Sequence, residues 1–204
     1  MRLCALSLSV LTTLAVSQAP AQGPTTPDLR APAAFDNIVD VRQRSRELFA
    51  EIGKVLTHPR CMNCHPAGEH PLQGAEQRPH IPPVWRSRPA VADPGTNCAG
   101  CHTDSNYTLN EGAKYHSIPG HPRWEVAPLS MAWEGKSLRE ICIQLKDKDR
   151  NGGRDLALLH EHIAKDDLVA WGWQPGQGRE PAPGSQELVG RLVQAWIDSG
   201  AECP

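Results

Sequence analysis

The stretch RCMNCHPAGEHP, residues 60–71, places Cys61 and Cys64 three positions apart, with His65 directly after the second cysteine. Its prolines make a regular helix unfavourable here. The same C-x-x-C-H pattern returns as CAGCH at residues 98–102. Any group that needs two thiols and an imidazole at this spacing is therefore expected twice in this chain.

C-x-x-C-H is the attachment signature of c-type haem, in which each thiol forms a thioether with a porphyrin vinyl group and the adjacent histidine binds the iron. The spacing matters because two thioethers must meet vinyl groups on neighbouring pyrroles while the imidazole reaches the metal. We therefore predict two covalently bound haem c groups, attached through Cys61, Cys64, Cys98 and Cys101, with His65 and His102 as proximal iron ligands.

Three other uses of these cysteines are weaker alternatives. Two C-x-x-C units of a structural zinc site are usually about 15–20 residues apart, whereas Cys64 and Cys98 enclose 33 residues. A thioredoxin-like dithiol expects a βαβ setting, which the surrounding sequence does not indicate. Two plain disulfides form the third alternative.

The N-terminal segment has the pattern of a secretory signal peptide. Met1-Arg2 is followed by the apolar stretch 3–16 and by the small-residue sequence Ala19-Pro20-Ala21. We predict a signal peptide over residues 1–21, export to the periplasm and no membrane span after cleavage. We further predict a flexible Pro-rich lead-in over 22–35 and a dihaem domain over 36–204. This domain is either one unit or two small halves, one around each motif.

Composition limits the possible partners and the size of the core. Among 204 residues there are 21 Lys and Arg and 23 Asp and Glu; removing the signal peptide deletes only Arg2, so 20 − 23 gives a net charge of −3. This balance does not favour nucleic acid binding. Because aromatic residues make up 5% and there are 19 prolines, the polypeptide is short of apolar core material, which two haems would supply.

The rest of the chain predicts a mostly α fold with long irregular loops, in which cytochrome c-like helices wrap around two haems. Apolar residues at helical spacing predict an amphipathic helix that ends near Leu56, with Pro59 behind it. Ser137 and Glu140 have the spacing of a capping box. Further helices are predicted over 155–165 and over 186–198, the last closed by Gly200, whereas 66–97 and 103–135 show no helix or strand period.

Two cysteines lie outside the motifs once the signal peptide, with Cys4, is removed. They are Cys142 and Cys203. In an oxidising compartment an even number of remaining cysteines favours their pairing, and we predict this disulfide.

The sixth ligand of each iron decides its chemistry, since methionine raises the reduction potential relative to histidine and an open position permits peroxidase activity. Met131, on a Pro-containing loop before a helix, is the leading candidate; its alternative role is a buried side chain beside Trp133. For the other iron His80 is favoured, because fifteen residues separate it from His65. The remaining candidates are His121 and His160, then His58, His70, His116 and His162.

The chain resembles short exported proteobacterial proteins labelled as isoquinoline 1-oxidoreductase subunits. The resemblance covers most of 36–204 and rests on GKVLTHPRCMNCHPAGEHP, CAGCH, PGHPRWEVAPLSMAWEGKSLREICIQLKD, RNGGRDLALLHEH, LVAWGWQPG and AWIDSGAECP. The label implies a molybdenum hydroxylase, but the chain is too short for a molybdopterin-binding subunit and lacks iron–sulfur cysteine spacing. The resemblance therefore implies a dihaem cytochrome that accepts electrons from such a dehydrogenase.

Together these patterns predict an electron carrier between a dehydrogenase and a downstream cytochrome or oxidase, with no catalytic acid or base. The alternative prediction is a small dihaem peroxidase in which one iron is five-coordinate.

Overall fold

The computed structural model describes residues 28–86, 98–108 and 117–204; the predicted signal peptide lies outside these ranges. Within them the chain is mostly helical, as predicted. The α-helices are α1 Val41–Leu56, α2 Pro59–Met62, α3 Leu138–Lys146, α4 Leu156–Lys165, α5 Asp167–Ala170 and α6 Gln186–Asp198. Short 3₁₀ helices cover Pro32–Phe35, Cys98–Gly100, Leu129–Met131 and Trp171–Trp173.

Helix α1 forms because an N-cap and an apolar face coincide. The Asp40 side chain accepts hydrogen bonds from the backbone N–H groups of Arg42 and Gln43, which otherwise have no helical partner. The predicted end at Leu56 is confirmed. Two details differ. Val41, which has the same helical spacing as Leu48, Ile52 and Val55 and was expected on their apolar face, is 47% exposed. Pro59 begins α2 instead of merely ending α1, since proline fits the first helical position.

The other long helices begin and end as their caps dictate. The predicted capping box of α3 is present, with Ser137 and Glu140 bonding each other's backbone N–H. Asp155 caps α4 and Ser185 caps α6 through their side chains. The predicted range of α6 is confirmed, and Gly200 follows it with a φ of 103°, which favours glycine.

The core lies between α1, α3, α4 and α6. Phe49 of α1 packs on Trp196 of α6 with ring centroids 5.0 Å apart. Fully buried aliphatic residues surround this pair, and each contributes roughly 1.5–3 kcal/mol by leaving water: Leu48, Ile52, Ile141, Val189, Leu192 and Val193. Cys61 and Met62 of the first motif pack against the same core, so the core supports the motif directly.

The predicted disulfide is present and ties the C-terminus to α3. Cys142 and Cys203 are bonded, with their Cα atoms 5.7 Å apart. Lys146 Nζ donates to the carbonyl of Ala201 at 2.7 Å, and the Trp196 indole donates to that of Glu202 at 2.9 Å. Contacts with α3 and with α6 therefore fix the last residues of the chain.

The described part of the predicted flexible lead-in, residues 28–35, is packed against α1. Phe35 is 1% exposed. The Arg30 guanidinium reaches the buried Glu51 carboxylate at 2.9 Å and also covers the Phe35 ring at 4.3 Å. The proline content suggested flexibility, but the buried ring and the ion pair provide contacts that fix this segment.

Glu51 gives a pH-dependent prediction. Burial by itself raises the pKa of Glu51, but hydrogen bonds from Lys54 and from Arg30 outweigh it, so the pKa lies below the ordinary 4.5. A lowered folded-state pKa means that the carboxylate stabilises the fold above the unfolded value, and that this contribution is lost as the pH falls through the folded value. We expect Glu51→Gln to lower the free energy of unfolding at pH 7 by about 1–3 kcal/mol.

The measurement is urea unfolding of the wild type and of Glu51→Gln across a range of pH. The difference between their free energies of unfolding should shrink steadily once the pH falls below 4.5. A difference that stays constant down to pH 3 would show that the charge of Glu51 does not contribute.

Two short antiparallel hairpins interrupt the regions predicted to be wholly irregular. Strand β1 Leu72–Gln73 pairs with β2 Arg78–Pro79, and β3 Tyr107–Thr108 pairs with β4 Ser117–Ile118. Strands of two residues are too short to show a period of two in the sequence, which is why they were not predicted. In the described ranges no helix combines the length and apolar character that crossing a membrane requires.

Candidate functional site

The first motif begins in the short helix α2, continues through the turn that follows it, and is held by the segment that precedes α3. The carbonyl of Cys64 accepts a hydrogen bond from the Ala127 N–H at 2.9 Å. The carbonyl of His65 accepts from Trp133 at 2.9 Å and from Glu134 at 3.2 Å. Three backbone hydrogen bonds therefore attach the motif to the loop that carries Met131.

His65 is fixed by a hydrogen bond and by stacking. Its Nδ1 lies 2.7 Å from the Met131 carbonyl oxygen, and its ring stacks on Trp133 with centroids 3.5 Å apart and planes 5° apart. Because a carbonyl can only accept, Nδ1 carries the proton and Nε2 keeps its lone pair. Burial lowers the pKa of His65 to about 4, so the imidazole is neutral at pH 7, as a metal ligand must be.

Met131 owes its position to α3. The Ser130 carbonyl accepts from the Gln144 side chain of α3, and the Ser130 hydroxyl donates to the Arg150 carbonyl at 2.7 Å. The Met131 side chain is 7% exposed and belongs to the hydrophobic core. Its carbonyl oxygen thus reaches His65 from a well-packed loop.

The second motif repeats this arrangement with different partners. Nδ1 of His102 lies 2.6 Å from the Pro119 carbonyl oxygen. Its ring stacks on Trp124 with centroids 4.8 Å and planes 13° apart, and Trp124 in turn meets the edge of Trp171. Burial lowers the pKa of His102, although the hydrogen bond to Pro119 opposes it. Both motif histidines are therefore oriented by one carbonyl and one indole.

Asn106 connects the second motif to the rest of the molecule. Its Oδ1 accepts from the Gly120 N–H at 3.1 Å and from the Trp171 indole at 2.8 Å, while its Nδ2 donates to the Gln174 carbonyl at 3.0 Å. Both polar atoms of its side chain are therefore used. Asn106 and Gly120 were not among the predicted site residues; the Pro119-Gly120 dipeptide signals a turn, but nothing in the sequence indicates its partner.

Gly120 allows the loop that carries the Pro119 carbonyl to approach the second motif. A Cβ at this position would overlap the Ser105 carbonyl oxygen and lie 2.5 Å from that of Thr103. We expect Gly120→Ala to lower the free energy of unfolding by about 1–3 kcal/mol through overpacking. Thermal unfolding measures this, with Gly68→Ala as the control because no atom lies within 4 Å of its added Cβ. Equal midpoints for the two variants would contradict the close approach.

The segment from Trp171 to Ala182 joins the two motifs. Arg60, beside the first motif, donates from Nε to the Glu180 carbonyl at 2.8 Å. Arg179, directly before Glu180, bonds the hydroxyl and the carbonyl of Ser117, two residues before Pro119. The motifs therefore share one supporting segment, although they are far apart in sequence.

Seven of the described histidines divide into two groups according to the hydrogen-bond partner of their Nδ1 atom. In His58 and His121, Nδ1 accepts a backbone N–H, from Arg60 at 3.2 Å and from Arg123 at 3.1 Å. The proton is then on Nε2, which leaves no lone pair for a metal. In the second group Nδ1 faces an oxygen acceptor and Nε2 is available: His65, His70, His80, His102 and His162.

The predicted distal candidates are placed very differently. The His80 ring lies 5.9 Å from that of His102, centroid to centroid. His70 packs on Trp85, with centroids 4.9 Å apart. His162 bonds Asp166 at 3.2 Å, and its charge contributes to lowering the pKa of His65. His160 lies beside Gly190 of α6. His116 lies outside the described residues.

The motif thiols are free, so the structure does not contain the disulfides considered as an alternative. Burial raises the pKa of Cys61 to about 12 and that of Cys64 to about 11. A redox-active dithiol needs a lowered thiol pKa, which this environment does not provide. Within the described ranges no three His, Cys, Asp or Glu side chains are grouped closely enough to share a metal ion, whereas a zinc site would need the four cysteines together.

Unsatisfied hydrogen-bond donors lie in the neighbourhood of the first motif. Trp133, stacked on His65, is 6% exposed, and its Nε1 has no acceptor among the described residues. Arg86 donates from Nη2 to the Pro66 and Gly68 carbonyls, but its Nε and Nη1 are buried and meet no acceptor in the described part of the chain. Because unsatisfied buried donors are costly, these groups suit a carboxylate-bearing ligand. Glu69 Oε2 is also buried and unpaired, so Arg86 has one acidic neighbour within the chain.

Comparison with protein-family models, with curated proteins and with solved structures finds no match to this chain.

Proposed function

We propose that the chain is a dihaem c-type cytochrome that carries single electrons. The observation that supports this most strongly is the pairing of sequence and geometry at both motifs. Each C-x-x-C-H histidine has its Nδ1 on a backbone carbonyl, at 2.7 Å for His65 and 2.6 Å for His102. This is the outer-shell hydrogen bond that orients metal-binding histidines in general and fixes their tautomer.

The surrounding residues fit a covalently bound haem at each motif. Cys61, Cys64 and His65 would hold the first group, and Cys98, Cys101 and His102 the second. The haem propionates are carboxylates, and the unpaired N–H groups of Trp133 and Arg86 are suitable donors for them. Each haem supplies an iron that changes its oxidation state by one electron. The protein residues orient the imidazoles, cover their faces with indole rings and accept hydrogen bonds from the Nδ1–H groups.

The position of Met131 favours a supporting role at the first motif. Its carbonyl is bonded to His65 Nδ1, on the opposite side of the imidazole from Nε2. The Met131 side chain is 7% exposed and belongs to the hydrophobic core. These contacts favour a role for Met131 in orienting His65, and its sulfur as an iron ligand stays a prediction.

The partners that this function implies are redox proteins. The resemblance to subunits labelled as isoquinoline 1-oxidoreductase favours a dehydrogenase, such as a molybdenum hydroxylase, as the electron donor, and a downstream cytochrome or oxidase as the acceptor. Weak and transient docking suits such a carrier. The predicted signal peptide and the disulfide between Cys142 and Cys203 agree with a periplasmic location, because disulfides persist in oxidising compartments.

The test is an optical spectrum of the full chain matured in a bacterial host that attaches c-type haem. A carrier should give a reduced-minus-oxidised spectrum of c-type haem, low-spin iron in both oxidation states, and reoxidation by an electron acceptor without turnover of peroxide. A high-spin population together with peroxide turnover would instead indicate the dihaem peroxidase. A protein without a Soret band would contradict both.

A further inference from the structure

We propose that His80, in the loop that follows the first motif, is the sixth ligand of the iron attached at the second motif. The proposal rests on the dihaem function and adds to it a specific ligand pair, His80 with His102. The sequence favoured His80 because of its distance along the chain from His65, which would place it on the first iron. The structure instead brings it to the other motif.

The separation of the two rings suits a shared metal ion. The centroids of His80 and His102 are 5.9 Å apart, and their planes are inclined by 57°. An imidazole nitrogen binds a transition metal at about 2.0–2.1 Å, and the ring centroid lies roughly 1.1 Å behind that nitrogen. Two axial imidazoles on one metal therefore have centroids about 6 Å apart.

Both rings also present the same free nitrogen. His80 Nδ1 lies 2.7 Å from the Pro82 carbonyl oxygen, and His102 Nδ1 lies 2.6 Å from that of Pro119. In each ring the proton is thus on Nδ1, and Nε2 is the available ligand atom. His121, the other candidate near this motif in sequence, has the opposite tautomer, because its Nδ1 accepts from Arg123.

Hydrogen bonds to the first motif hold the His80 loop in position. The Leu72 N–H donates to the Asn63 carbonyl at 3.1 Å, and the Asn63 side chain donates to the Gly74 carbonyl at 3.0 Å. At the other end of the β1–β2 hairpin, the His80 N–H donates to the Pro71 carbonyl at 3.0 Å. The loop is therefore anchored on the first motif and brings His80 to the second, so that the second haem site would use a residue whose position depends on the first motif.

The experiment compares His80→Ala with His121→Ala in full-length protein carrying its haems, by electron paramagnetic resonance of the ferric state. His121 is a matched control because it lies near the second motif in sequence, but its Nδ1 accepts from Arg123, so its Nε2 carries the proton and has no lone pair for the iron. His80→Ala should convert about half of the low-spin iron to high-spin while leaving the haem content unchanged, and added imidazole should restore it; His121→Ala should change nothing. Full retention of the low-spin signal in His80→Ala would overturn the proposal.

A second comparison identifies which iron is affected. With Cys61 and Cys64 replaced by alanine, only the second haem is covalently attached, and His80→Ala should then convert nearly all of the iron to high-spin. With Cys98 and Cys101 replaced by alanine, His80→Ala should convert none of the iron to high-spin. If His80→Ala instead affects only the protein that keeps the first haem, His80 is a ligand of the first iron and the proposal is overturned. If His80→Ala does not fold, His80→Asn keeps an N–H for the Pro82 carbonyl and serves in its place. Protein without covalent haem would contradict the proposed function itself rather than this ligand pair.

Discussion

Replacing Cys61 and Cys64 by alanine should remove one covalently attached haem, and replacing Cys98 and Cys101 should remove the other. The reason is that each thioether pair is formed by one motif alone. Intact mass spectrometry of the purified variants measures the result directly, because each variant should lose the mass of one haem relative to the wild type. Replacing all four cysteines should give a protein whose mass is that of the polypeptide without haem.

The two losses should differ in their effect on stability. Cys61 and Met62 pack against the hydrophobic core, and the motif that contains them is bonded to the loop before α3. Cys101, in contrast, is exposed. We therefore expect the first pair of substitutions to lower the thermal midpoint more than the second. Equal midpoints would contradict an embedded first site, and unchanged masses would contradict haem attachment.

Removing the disulfide should have the largest effect on stability that does not involve the haems. Cys142 and Cys203 are separated by 61 residues, and loop-closure entropy for a loop of this size predicts a loss of about 4 kcal/mol. Measured values for disulfides are typically about 2–4 kcal/mol. Cys142→Ala should therefore lower the free energy of unfolding by this amount, as measured by denaturant titration.

Two controls separate the crosslink from the side chain. The double variant with Cys142→Ala and Cys203→Ala should be about as stable as either single variant, since one substitution already opens the loop. Ile143→Ala, on the same helix but 47% exposed, should change stability by less than about 0.5 kcal/mol. A Cys142→Ala variant no less stable than Ile143→Ala would mean that the crosslink contributes nothing.

The sequence predicted the features that depend on neighbouring residues. The end of α1, the capping box of α3 and the range of α6 depend on caps and apolar periodicity within a few residues. The disulfide was predictable for a different reason, because only two cysteines remained for it. For these helices and for the disulfide, the local pattern was compatible with only one structure.

Features that depend on contacts between distant segments were not predictable. The role of Asn106 requires knowing that Gly120 and Trp171 come to the same place, which no local pattern indicates. The packing of Phe35 and Arg30 on α1 was hidden by the surrounding prolines. Met131 was identified as a site residue for its sulfur, but the contact with His65 that the structure shows is made by its backbone carbonyl, and no local pattern indicates that contact.

The most direct test of covalent haem at both motifs is the haem content of the wild-type protein. The full chain, matured in a host that attaches c-type haem, should give a pyridine haemochrome corresponding to two haems per chain and an intact mass higher than the polypeptide by two haems. A purified protein with the mass of the bare polypeptide would contradict the dihaem proposal.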